Sequence, residues 1–365
     1  MCQFFINEVI VILALKKGHR PPPNGGILHA LEPVIPGWSK EAFDLSASGQ
    51  AAERRTHKNL RFEDDELNPE YIKQFTEMGV KKEVFDTDHD EGRYRYNVHT
   101  PLDIKDGELL PVLYVSHGGM GTPFQAENWG FSELIANERF IAVYANNGGY
   151  SNEDTDTEFP RILEAVISNY PVDQSRVYAF GFSSGSDATE TAATLWPEKI
   201  AACVPAPGSN AMYNSLCRLT EEAYEKCIPL RMPCLFLGGT ADYGDRWPFP
   251  DEECFENFNI WAEKICKVPE FIPTSLAKSK MIIDISNDPV ERAAGLRFPV
   301  TYTFEEEERE WYVGEFPDEN GHPILKVILA EGLPHVITDA HAPLAWEFLK
   351  HWSRAPKTGK LTYTE

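Results

Sequence analysis

Residues 177–185 read Val177-Tyr178-Ala179-Phe180-Gly181-Phe182-Ser183-Ser184-Gly185, an apolar run that ends in Gly-x-Ser-x-Gly, with a helix-prone stretch beginning near Asp187. The pattern predicts a buried strand that turns sharply into a helix, with Ser183 on the turn. Glycines flank such a serine because a hydroxyl held clear of the backbone in a strained turn needs neighbours without side chains. An activated serine on an elbow of this kind implies acyl transfer. At ordinary Gly and Ser usage a chain of this length yields roughly 0.1 such matches by chance, so the neighbouring segments must decide.

Upstream, Val112-Leu113-Tyr114-Val115 runs into Ser116-His117-Gly118-Gly119-Met120-Gly121. This is a His-Gly-Gly loop, and its backbone N–H groups at Gly118 and Gly119 are candidates, with that of Ser184, for holding a developing oxyanion. Downstream, Cys234-Leu235-Phe236-Leu237 leads through Gly238-Gly239-Thr240-Ala241 to Asp242, and the strand ending at Ala330 leads through Glu331-Gly332-Leu333-Pro334 to His335. Both lie just past a strand, where functional groups of parallel sheets collect. The order Ser, Asp, His is that of an α/β-hydrolase. The catalytic set is therefore Ser183 as nucleophile, His335 as base and Asp242 as the acid that orients the imidazole.

Competitors exist for each role. Asp245 lies three residues after Asp242, which itself suits a turn-forming Asx position. His341 competes with His335, though it also fits a surface or capping residue before the last helix, and His117 fits a residue that fixes its own loop. The spacing His335-x-x-x-Asp339-x-His341 does not suit one helical face, so no metal site is expected.

The rest of the chain alternates strand and helix. Phe159, Ile162, Leu163, Val166, Ile167 and Tyr170 recur at helical spacing, as do Ala345, Phe348, Leu349 and Trp352 near the end; strands are predicted at residues 93–98, 112–115, 140–144, 177–182, 201–204, 235–237 and 324–330. Alternation of this kind predicts a mainly parallel central sheet covered by helices on both faces. The break Pro21-Pro22-Pro23-Asn24-Gly25-Gly26 and the polar stretch after it set residues 1–81 apart as an N-terminal extension, leaving 82–356 as the catalytic domain and 357–365 as a C-terminal tail.

Composition narrows the partners. A net charge of −23 repels phosphate backbones and anionic headgroups, so neither nucleic acid nor membrane is an expected partner; the run Glu305-Glu306-Glu307-Glu308 reads as a solvated face. The apolar stretch from Phe4 to Leu15 is too short to span a bilayer and its flanks are reversed for a signal peptide, so a strand at Val9 to Leu15 and a cytoplasmic location are expected. Seven cysteines form no Cys-x-x-Cys; pairing of Cys217 with Cys227 or of Cys254 with Cys266 would require an oxidising compartment.

Together the segments Tyr114 to Gly121, Ile141 to Asn146, Asp156 to Phe159, Asp173 to Gly185, Gly238 to Asp242 and Gly332 to His335 resemble the polyhydroxybutyrate depolymerase-like branch of the α/β-hydrolases, which takes in feruloyl and acetyl-xylan esterases. The resemblance covers about residues 90–355 and implies a serine carboxylic-ester hydrolase without metal or organic cofactor. Two departures concern the substrate. Family members often follow the serine with Asn-Gly-Gly, where this chain has Ser184-Gly185-Ser186, and place Trp-Pro-Gly after the histidine, where Val336-Ile337-Thr338 stands here. Acyl or hydroxycinnamoyl esters of plant polysaccharide, or small aryl esters, are the expected substrates. A serine peptidase of the same fold, a polyester depolymerase and a non-catalytic carbohydrate-binding protein are the rivals. The 93 residues from Asp242 to His335 exceed what one crossover needs, so part of this segment is expected over the strand ends. There Trp247 and Phe249, set among prolines, are the candidates to line an acyl or aryl pocket, whereas Phe255, Phe258 and Trp261 read as core.

Overall fold

The computed structural model describes residues 69–86, 95–118, 122–145, 152–206, 221–241, 252–333 and 335–365. Its strands are β1 Val80–Asp86, β2 Arg95–Pro101, β3 Leu110–Ser116, β4 Ile141–Ala145, β5 Val172–Gly181, β6 Ala202–Pro205, β7 Cys234–Gly239, β8 Val300–Glu306, β9 Arg309–Pro317, β10 Pro323–Ala330, β11 Trp352–Arg354 and β12 Leu361–Tyr363. The first ten form one sheet in the order β1-β2-β4-β3-β5-β6-β7-β10-β9-β8. From β4 to β10 the neighbours in that order are parallel, and two antiparallel strands extend the sheet at each edge. Every residue of β3, β4, β6 and β7 is buried, because a parallel sheet covered on both faces leaves no strand a solvent side.

The covering helices are α1 Pro69–Glu77, α2 Pro123–Ala126, α3 Phe131–Glu138, α4 Asn152–Asn169, α5 Ser184–Leu195, α6 Glu221–Cys227, α7 Glu252–Asn259, α8 Leu276–Ile285, α9 Pro289–Ala294 and α10 His341–Leu349, with a π-helical turn at Ile260–Ile265 continuing α7. On α4 the positions expected at helical spacing, Phe159, Ile162, Leu163 and Val166, are buried. Phe255, Phe258 and Trp261 are core, as expected. No helix among the described residues is long and apolar enough to cross a membrane.

Several sequence expectations change. Helix α1 and the start of β1 precede residue 81, yet Tyr71, Phe75 and Val80 join the core, because α1 hides a short apolar face in a polar stretch. Trp352 does not close the last helix; it lies in β11, which pairs with β12 inside the expected tail. The described part of the long segment between acid and histidine folds into helices α7 to α9 and the β8–β9 hairpin, which extends the sheet, and Trp311 and Tyr312 are buried in β9. Nor is the acidic run only a solvated face. Glu307 and Glu308 take φ of 54° and 57° at the tip of that hairpin, the left-handed pair a tight two-residue turn demands, and Glu307 Oε1 accepts from the Ala340 N–H at 2.9 Å. Cys203, Cys227, Cys234 and Cys266 are buried free thiols, so neither Cys227 nor Cys266 takes the pairing considered for it. Burial pushes the thiols of Cys227, Cys234 and Cys266 well up. The expected strand at Val9 to Leu15 and the Pro-Gly break lie outside the described residues.

Candidate active site

Strand β5 ends at Gly181 and helix α5 begins at Ser184, so Ser183 sits between them with φ 56° and ψ −122°. A side-chain-bearing residue pays for that conformation in strain, and the surroundings must over-determine it. Here the Phe182 N–H donates to the Ser116 carbonyl at 3.1 Å and the Gly185 N–H to the Phe182 carbonyl at 2.8 Å. The Ser183 carbonyl accepts from both the N–H and the hydroxyl of Ser186, at 2.8 and 2.7 Å. Both motif glycines are required by close approach: a Cβ on Gly181 would lie 1.8 Å from the Gly185 carbonyl oxygen, and one on Gly185 2.2 Å from that of Ser116. Ser184, the first helical residue, has an N–H with no intrahelical carbonyl to reach, at the positive end of the helix dipole.

The parallel register of β3 with β5 sets Ser116 beside Gly181, which brings the two residues that follow β3 against the elbow. A Cβ on Gly118 would lie 2.8 Å from Cδ1 of Phe182 and 3.3 Å from Cβ of Ser183. His117 Nδ1 donates to the Gly118 carbonyl at 2.7 Å and so braces its own loop. Gly119 lies outside the described residues.

On the other side, the half-buried His335 stacks its ring on that of Phe182, with centroids 4.7 Å apart and planes 29° from parallel. The ends of β7 and β10 are laced together just before the two remaining candidates. Thr240 N–H donates to the Ala330 carbonyl at 2.9 Å, Ala241 N–H to the Leu333 carbonyl at 3.2 Å, and Gly332 N–H to Thr240 Oγ1 at 2.8 Å. Gly239 has to be glycine there, since a Cβ would meet the Leu333 carbonyl oxygen at 2.0 Å. Asp242, its competitor Asp245, and the pocket candidates Trp247 and Phe249 lie outside the described residues.

His341 occupies a different environment from His335. It is fully buried against Trp311, and its Nδ1 accepts from the Thr338 N–H at 3.1 Å. Burial depresses its pKa to about 3, so it stays neutral and braces the start of α10. The ring of Phe182 is the contact that sequence reading missed, although the residue lies inside the motif itself. Its neighbour 153 positions further on belongs to another strand end.

A solved acetyl xylan esterase from Aspergillus awamori superimposes on this chain with a TM-score of 0.50, at 15% identity, over 74% of this chain and 99% of that one. Together with the parallel sheet and the serine elbow this decides the fold. The chain is an α/β-hydrolase by fold. No protein-family model matches this chain. A bifunctional acetylxylan esterase/xylanase from Neocallimastix patriciarum is 31% identical over 137 residues, which are 35% of this chain and 20% of that protein. The chain thus spans about a fifth of that relative's length. Among its described residues, no group of three or more His, Cys, Asp or Glu side chains is placed to hold a metal ion.

Proposed function

We propose that this α/β-hydrolase is a serine-dependent carboxylic-ester hydrolase. The strained backbone of Ser183, pinned between β5 and α5 with Gly118 against it, is the observation that carries the reading. In the proposed reaction His335 takes the proton of the Ser183 hydroxyl as its oxygen attacks the ester carbonyl, while Asp242 orients the imidazole and stabilises its protonated form. The negative charge that develops on the carbonyl oxygen is held by the N–H of Ser184 and one from Gly118 or Gly119. The ester C–O bond then breaks, His335 returns the proton to the departing alcohol, and water releases the acid from Ser183 by the same route. No metal or organic cofactor enters these steps.

The proposed substrates are acetyl or hydroxycinnamoyl esters on plant polysaccharide, or small aryl esters, with Trp247 and Phe249 against the acyl or aryl group. Support comes from the acetylxylan esterase/xylanase that shares 31% identity over its matched segment. The test is turnover of acetyl, butyryl and feruloyl esters beside a panel of aminoacyl amides, with the Ser183→Ala variant and a fluorophosphonate label. Ester turnover lost in Ser183→Ala, with label on Ser183 alone, is the expected result. Asp242→Asn should lower kcat by about 10⁴ and Asp245→Asn far less. Amide turnover without ester turnover would move the reading to a peptidase, and turnover that survives Ser183→Ala would end it.

A further inference from the structure

We infer that Phe182, the residue between the first glycine and the serine of the motif, is a positioning residue that sets the plane of the His335 imidazole. The inference rests on the proposed role of His335 as base. One backbone bond and three ring contacts fix Phe182. Its backbone is tied to β3 through the 3.1 Å hydrogen bond to Ser116. The edge carrying Cδ1 and Cε1 fills the space that a side chain on Gly118 would take, at 2.8 and 3.1 Å from the site of a Cβ. The fully buried indole of Trp129 meets it edge-on, with centroids 5.6 Å apart and planes at 76°. Against this immobilised ring lies His335, stacked at 4.7 Å.

A stacked contact suits a base because it fixes the ring plane without using either nitrogen. Both nitrogens lie in that plane, so the stack itself occupies neither the one proposed to take the serine proton nor the one proposed to meet a carboxylate. The contact also strengthens during the reaction. When the imidazole takes the serine proton it becomes a cation over the negative face of a π-system, which the neutral ring is not. Stabilisation that grows toward the transition state acts on kcat rather than on KM. A leucine of comparable apolar bulk supplies contact but no quadrupole and no flat face. The same ring touches Gly118, so one side chain sets the spacing between the proposed oxyanion loop and the proposed base.

The experiment compares Phe182→Leu and Phe182→Tyr with the wild type. It reads kcat and KM for p-nitrophenyl acetate, the rate at which a fluorophosphonate labels Ser183, and the thermal midpoint. For Phe182→Leu, kcat and the labelling rate should fall about tenfold with KM and thermal midpoint unchanged, and Phe182→Tyr should restore most of both rates. Should Phe182→Leu fail to fold, Phe182→Met is read in the same way, its flexible side chain filling the space without a π-face. Wild-type rates in the leucine or methionine variant overturn the inference, as does an equal loss in the tyrosine variant. A wild-type protein without ester or amide turnover, or turnover indifferent to Ser183→Ala, overturns the catalytic reading instead. Turnover that needs Ser183 and His335 but not an aromatic ring at position 182 overturns this inference alone.

Discussion

Two histidines six residues apart have opposite surroundings, and the difference is measurable. His335 is half-buried with its ring face on Phe182, whereas His341 is sealed in the core with its pKa lowered from 6.5 to about 3 by burial. In the unfolded chain His341 binds a proton as pH drops through 6.5; in the folded chain it does not until about pH 3. The folded state therefore binds fewer protons in that window, and the stability contributed by neutral His341 is complete above pH 6.5 and lost as pH falls, at about 1.4 kcal/mol per pH unit. His341→Asn keeps an acceptor for the Thr338 N–H and removes the titration. Urea unfolding from pH 6.5 down to about 5, above the range where carboxylates begin to contribute, should show a slope shallower by about 1.4 kcal/mol per pH unit in the variant. Buried His99, shifted in the same direction by burial, accounts for part of the slope that remains. Identical slopes for the two proteins would show that His341 is charged in the folded state.

At the scale of elements, a single carboxylate joins the β1–β2 edge to the helices around it. Glu127, just after α2, accepts from Lys82 of β1 at 2.6 Å, from Asn97 of β2 at 2.8 Å, from His99 of β2 at 3.0 Å and from Tyr71 of α1 at 3.1 Å. Burial alone would raise its pKa, but Lys82 and then His99 outweigh that and hold it at about 2. The Lys82 and Glu127 side chains are both fully buried, so removing one charge strands the other in the interior. Glu127→Gln should cost about 3–5 kcal/mol in urea unfolding at neutral pH, with early proteolysis of the α1–β1 segment. A loss below about 1 kcal/mol would mean that Lys82 finds water or another partner when its carboxylate is gone.

Across the whole molecule, the separate β11–β12 hairpin is fastened beside the central strands of the main sheet through one arginine. Arg354 of β11 is 1% exposed and donates to four carbonyls: Ile200 at 2.6 Å, Leu230 at 2.9 Å, Gly359 at 2.9 Å and Arg231 at 2.6 Å. Burial lowers its pKa to about 10, which leaves it protonated at neutral pH. Its fork therefore ties the C-terminal hairpin to the segments that lead into β6 and β7. Arg354→Met keeps much of the side-chain volume but orphans these carbonyls, each a charge-assisted bond lost in a dry site. The expected cost is about 3 kcal/mol or more, read as a lower urea midpoint at unchanged m-value. A variant with the wild-type midpoint would show that water satisfies the freed carbonyls.

The sequence alone determined what depends on local pattern. The elbow, the start of α5, the parallel core and the amphipathic face of α4 were legible because period, glycine spacing and apolar runs are short-range signals of backbone geometry, whereas β5 begins at Val172, five residues before the strand expected from 177. Ser183, Gly118 and His335 could be nominated from their places just past strand ends, and the tertiary structure brings the described members of that set around Phe182. Only tertiary structure decided the rest. The burial of Glu127 and Arg354, the neutrality of His341 and the stack of Phe182 on His335 depend on residues 28 to 154 positions apart meeting across strands and helices, and no local period records such a meeting. The β8–β9 hairpin escaped detection for a related reason: β8 is an exposed edge strand without alternating burial, and its tip is built from two glutamates where glycine or asparagine usually marks the turn.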